Sequence, residues 1–143
     1  MFRAAFSKQR CLVLCDGYYE WQRLSKGRKQ PHYFSLPLGA PMILAGLWSS
    51  NDRLTGKGLE TFCVLTVSAS SAVNSVHHRM PVILDQEGQS AWLDPVRREE
   101  GALRPWLRPW EGEIEVSPVS TFVNSPANNS AQCIQTLQAD SAL

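Results

Sequence analysis

The groups best able to move a proton or stack on a ring are concentrated in two short stretches, Asp16-Gly17-Tyr18-Tyr19-Glu20-Trp21 and His77-His78-Arg79-Met80-Pro81. Glu20 is flanked by Tyr18, Tyr19 and Trp21, and a carboxyl partly stripped of water among rings is suited to general acid or base work. The plainer alternative is a solvated strand glutamate. His77 carries the side chain that shuttles protons most readily near neutral pH, against the alternative of a satisfied surface or core histidine. Arg79 lies two residues on, where a guanidinium can grip a phosphate through two parallel hydrogen bonds or, equally, pair with a carboxylate. Pro81 holds Met80 extended, which gives the stretch a fixed exit, and Met80 itself reads as core packing.

Between Trp21 and Pro31 stand Arg23, Lys26, Arg28 and Lys29 with no acid among them. A solvated hairpin tip explains such a cluster. So does phosphate contact beside a flat Trp21 ring on which an unpaired base stacks. Arg3 can join that groove, whereas Arg97-Arg98 are offset by Glu99-Glu100.

The elements that must hold these residues are mostly strands. Cys11 to Cys15 is continuously apolar and ends at the turn dipeptide Asp16-Gly17. A strand from Tyr18 to Arg23 follows, with Tyr18 and Glu20 on one face and Tyr19 and Trp21 on the other. The polar segment 25–31 connects it to a strand from His32 to Leu36. Met42 to Trp48 and Thr61 to Ser68 are two more strands, separated by a loop rich in Asn, Asp, Gly and Thr. Short helices are expected at Gln86 to Leu93, capped by Asp85, and at Glu99 to Leu107, with Pro95, Pro105 and Pro109 limiting them. Glu113 to Val119 alternates as a half-exposed strand, and the residues from Asn124 onward read as polar turns.

The 143 residues, 43% hydrophobic, fit one domain with its own core, expected over residues 1–138 with a frayed tail at 139–143. Strands follow strands without intervening helices. The expected fold is therefore α+β and β-dominated, a curved, mainly antiparallel sheet or open barrel with short peripheral helices. A formal net charge of +1 excludes the uniformly basic surface of a non-specific duplex binder. No stretch reaches 18 consecutive apolar residues, so no membrane partner is expected and an intracellular location is. Cys11, Cys15, Cys63 and Cys133 form no paired CxxC knuckles and read as buried free thiols; no metal or cofactor is expected.

The two motifs, together with Arg10-Cys11-Leu12, Val123-Asn124 and Asn128-Asn129, resemble the SOS response-associated peptidase (SRAP) family, a DNA damage response family whose members link covalently to abasic sites in single-stranded DNA. The resemblance implies a reaction in which an N-terminal cysteine condenses through its amine and thiol with the ring-opened aldehyde of an abasic sugar. The product is a thiazolidine, and peptidase and lyase-type chemistry accompany it in the family. Glu20 matches the glutamate that assists proton transfer at the amine, His77 matches the histidine that promotes ring opening, and Trp21 and Arg79 match DNA contacts. The implied partner is single-stranded DNA with abasic sites, bound by a monomer. Residue two here is Phe2, not cysteine, and the family's Asn-Ala-Arg segment is absent. That gives the expectation of a chain lacking the N-terminal part of its domain and exposing an unpaired sheet edge or apolar groove. Two alternatives stay open: a non-catalytic single-stranded DNA binding module, and a hydrolase site built on Glu20 with His77 and His78.

Overall fold

The apolar run before Asp16-Gly17 forms β1 (Arg10–Cys15) in a computed structural model that describes residues 3–51 and 58–137. The turn leads into β2 (Gly17–Arg23), which pairs antiparallel with β3 (Lys29–Ser35). Only glycine fits at position 17, because a Cβ there would lie 2.3 Å from the Phe34 carbonyl oxygen and 2.6 Å from the Tyr33 ring. At the hairpin tip Lys26 and Gly27 both adopt positive φ, 59° and 73°, and Leu24 N–H donates to the Arg28 carbonyl at 2.9 Å.

Among the described residues there are five further strands: β4 (Met42–Asn51), β5 (Leu59–Val64), β6 (Thr66–Ser68), β7 (Arg79–Pro81) and β8 (Glu115–Pro118). They form three antiparallel sheets in the orders β1-β4-β5, β2-β3-β8 and β6-β7. The single strand expected from Thr61 to Ser68 is broken at Leu65, since its N–H donates to Ala45 O while its carbonyl accepts from Val82 N–H. Those two bonds stitch the first sheet to the third. The fold is the expected β-dominated α+β arrangement, antiparallel and open.

Among the described residues, four short α-helices lie around the sheets. α1 (Arg3–Lys8) and α2 (Ser71–Asn74) were not foreseen; α3 (Gln86–Leu93) is the expected helix, with the Asp85 carboxylate accepting from Gly88 N–H at 2.7 Å. The helix expected from Glu99 to Leu107 is only α4 (Glu100–Leu103) plus a 3-10 turn over Arg104–Trp106, because Pro105 has no N–H to continue an α ladder. Arg10 ties α1 to α3: its guanidinium donates to Phe6 O, Ser7 O, Trp92 O and Asp94 O at 2.5 to 3.1 Å, so one cation closes two helix C-termini.

Two buried clusters support this frame. Phe34, Met42, Leu44, Val73, Met80 and Ile83 form one; Ala45, Leu47, Val82, Leu84, Trp92 and Leu103 form the other. Met80 is fully buried, as its motif position implied. The C-terminal segment is more than polar turns. It folds back through 3-10 turns at Thr121–Asn124 and Ala131–Ile134, pairs Val119 with Thr136, and buries Cys133. The tail 139–143 and Phe2 lie outside the described residues.

Among the described residues, no strand pairs with the outer edges of β1 and β5. Leu14 and Phe62 on these strands are 68% and 64% exposed. No described helix is long and apolar enough to cross a membrane.

Candidate nucleic-acid and proton-transfer site

Alternation along β2 sends Tyr18, Glu20 and Gln22 to one face and Tyr19 and Trp21 to the other. The ring contacts agree. Tyr18 stacks on Phe34 with centroids 4.8 Å apart and planes 8° apart, while Tyr19 packs against Tyr33 at 5.2 Å and Trp21 at 6.5 Å. On the first face, Gln22 reaches across to donate to Ser75 O at 3.0 Å, drawing the loop before His77 against the sheet. Behind that loop, α2 anchors His77 through its N–H to Val73 O at 3.1 Å, and the buried Met80-Pro81 pair fixes the far end in β7.

This folding brings the two motif residues together. His77 Nδ1 lies 3.6 Å from Glu20 Oε1, with both side chains about 30% exposed, at 31% and 28%. The same nitrogen is 3.0 Å from Arg79 O and 3.3 Å from the Arg79 N–H. With its proton on Nδ1 the ring donates to the carbonyl, faces the carboxylate and keeps a lone pair on Nε2; with the proton on Nε2 it accepts from the Arg79 N–H instead. In either tautomer the Arg79 backbone and Glu20 orient the ring.

Arg79 is exposed, and its guanidinium is held by Thr66: Nη2 donates to Thr66 O and Oγ1, each at 2.6 Å, and Nε to Oγ1 at 3.2 Å. Among the described residues Nη1 has no protein partner, and no carboxylate pairs with this arginine. Arg79, whose backbone contacts the His77 ring, thus presents an exposed guanidinium with donors to spare.

Tyr18 lies beneath Glu20 on the same face. Its hydroxyl is buried without a hydrogen-bond partner, and burial, with a smaller contribution from the Glu20 charge, raises its pKa well above the usual phenol value. It stays neutral throughout the working pH range.

The other expected contacts lie elsewhere. Trp21 is on the face opposite Glu20, and its indole N–H donates to Asn124 Oδ1 at 2.8 Å. Arg23, Lys26, Arg28 and Lys29 are all exposed at the β2–β3 tip, and among the described residues none pairs with a carboxylate. The Arg3 side chain lies outside the described residues. The thiols differ from the buried set expected: only Cys133 is buried, Cys11 and Cys15 are half-buried and Cys63 is exposed. Burial raises the Cys11 and Cys15 thiols, more than their neighbours do. No group of three potential ligands for a metal ion occurs among the described residues.

Two residues of the site were missed. Thr66 is one, because a threonine that ends an apolar run carries no mark of the arginine it holds. His32 is the other: it sits directly opposite Glu20 in the β2–β3 register, half-buried, with Nδ1 3.1 Å from Gln30 O. Pairing the two strands through the hairpin would have revealed it.

The chain is 33% identical over 135 residues to the abasic site processing protein YoqW of Bacillus subtilis (strain 168), covering 94% of this chain and 60% of YoqW. It is 35% identical over 146 residues to the abasic site processing protein HMCES of Gallus gallus, covering 88% of this chain and 43% of that protein. A crystal structure of a Bacteroides thetaiotaomicron protein superposes with a TM-score of 0.83 at 27% identity, covering 96% of this chain and 60% of its counterpart. The chain thus spans about 60% or less of the length of these relatives. The family model described as SOS response associated peptidase (SRAP) matches residues 1–126, and with relatives of this identity the chain belongs to the SRAP family.

Proposed function

We propose that this chain serves abasic-site processing in single-stranded DNA, with Glu20 and His77 as its proton-transfer pair and Arg79 as a phosphate contact. The observation that carries the reading is the 3.6 Å approach of Glu20 Oε1 to His77 Nδ1, with the backbone of the exposed Arg79 in contact with the same imidazole nitrogen. An abasic sugar must open from its ring form before its aldehyde reacts, and opening needs a base at one oxygen and an acid at the other. His77 Nε2 can take the sugar hydroxyl proton while Glu20 stabilises the imidazolium through Nδ1–H, and the imidazolium can return that proton to the ring oxygen as the ring C–O bond breaks. The processing names of YoqW and HMCES support the substrate class.

Thiazolidine formation needs a thiol next to a free α-amine, which Cys11, Cys15, Cys63 and Cys133 do not offer. The covalent step is therefore tested separately from the proton-transfer step. On incubation with single-stranded DNA containing one abasic site, this chain should give no adduct on a denaturing gel. A form that presents a cysteine with a free α-amine at the site should give one, and Glu20→Gln or His77→Ala in that form should slow the adduct at least tenfold. An adduct rate insensitive to both substitutions would sink the reading.

The exposed, unpaired cations at the β2–β3 tip favour one second reading, a single-strand binding module without catalysis. Under it, affinity for the oligonucleotide survives Glu20→Ala and His77→Ala and falls with Trp21→Ala. With about three to four phosphates contacted, the logarithmic salt slope would be about −2 to −3.

A further inference from the structure

All three histidines of the chain are linked to Glu20 by contact, by ring stacking on that contact or by strand register. His77 contacts its carboxylate at 3.6 Å, His78 lies against His77 with ring centroids 4.6 Å apart, and His32 is its cross-strand partner in the β2–β3 register. Directly opposed residues of antiparallel strands have Cβ atoms about 4.5 to 5.5 Å apart on the same face, so the His32 imidazole belongs to this cluster. Its Nδ1 is occupied by the Gln30 carbonyl at 3.1 Å, which leaves Nε2 to change from acceptor to donor on protonation. His78 is exposed and serves no step of the reaction proposed above.

We propose that the three imidazoles make this face a proton-gated phosphate site, so that acidification tightens single-stranded DNA beside Arg79. The inference rests on the nucleic-acid reading of the site and adds a control to it. Among the described residues, the charged and titratable groups that contacts or register link to this site are Glu20 and Tyr18 from β2, His32 from β3, and His77, His78 and Arg79 from the loop and β7; β6 contributes the neutral Thr66 and the turn after α2 the Ser75 carbonyl. With neutral imidazoles, Arg79 and Glu20 cancel. Each proton taken up adds one positive charge, and rings as close as those of His77 and His78 repel each other once both are charged. A phosphate relieves that repulsion and so favours the protonated state; by linkage, protonation favours the phosphate to the same extent. Affinity therefore rises as pH falls through the imidazole range.

The test is fluorescence anisotropy of a thymidine oligomer, whose bases do not titrate in this window, at fixed ionic strength at about pH 8 and about pH 5.5, either side of the imidazole range. The wild-type chain should bind about fivefold or more tightly at the lower pH, with a logarithmic salt slope steeper by about 0.7 per phosphate gained. The H32Q/H78Q double variant should lose most of that gain. An affinity that is measurable but flat with pH overturns the proposal alone, as does a full gain in the double variant, since the protons would then sit elsewhere. No binding at any pH removes the nucleic-acid reading of the face, and the proposal with it.

Discussion

Trp21 and Asn124, 103 positions apart in the chain, are joined by one hydrogen bond from the indole N–H to the amide oxygen at 2.8 Å. It pins the C-terminal 3-10 turn against the face of β2 opposite Glu20, next to the rings of Tyr19 and Tyr33. Since the bond is exposed, its loss is modest. Asn124→Ala should lower stability by about 0.5 to 1.5 kcal/mol in urea unfolding, whereas Asn124→Asp, which keeps the acceptor, should stay close to wild type.

Thr66 sets the direction of the Arg79 guanidinium, and the salt dependence of DNA binding reads that role. Thr66→Val removes the hydroxyl that accepts from Nε and Nη2 and should weaken oligonucleotide binding about threefold with the slope unchanged, because the charge remains. Arg79→Ala should weaken it further and flatten the logarithmic slope by about 0.7. A Thr66→Val chain with wild-type affinity would show that this pinning has no part in binding.

Arg10 supports the frame and stands apart from the site. Four carbonyl oxygens at the ends of α1 and α3 lose their donor in Arg10→Leu. The expected loss is about 2 kcal/mol or more in chemical unfolding, and Arg10→Lys should recover only part of it because an ammonium cannot reproduce the fork.

The thiols should separate by reactivity. A thiol whose pKa is raised holds less thiolate at any given pH, and burial raises Cys11 and Cys15. Brief alkylation near neutral pH followed by peptide mapping should label the exposed Cys63 first, then Cys11 and Cys15, with the buried Cys133 last. Equal labelling of all four would indicate that the native packing around β1 is not maintained.

Most strands were legible because their signals are local. The apolar run ending at Asp16-Gly17, the alternation across Glu20, and Asp85 ahead of a helical stretch each declare themselves within a few residues. The break at Leu65 did not, since it depends on carbonyls supplied by Ala45 and amides from Val82. The same applies to Thr66 and His32, whose significance lies in partners reached only through sheet register. The helix α1 was missed because its C-terminus is completed by Arg10, a side chain that reads from sequence as the start of a strand. Cys133 looked like part of a polar tail, yet the return of the chain to pair Thr136 with Val119 buries it.

The register of β4 and β5 sets Trp48 opposite Phe62, both exposed, beside a rim of β5 whose outer edge has no strand partner among the described residues. A rim of this kind is adhesive and directional, and it invites another polypeptide to add itself as the next rung. Solutions of the chain should therefore turn cloudy with concentration sooner than its near-neutral charge alone would dictate. A single lysine in place of Phe62 should raise the solubility ceiling without disturbing the Glu20–His77 pair, since Glu20 lies on a different sheet.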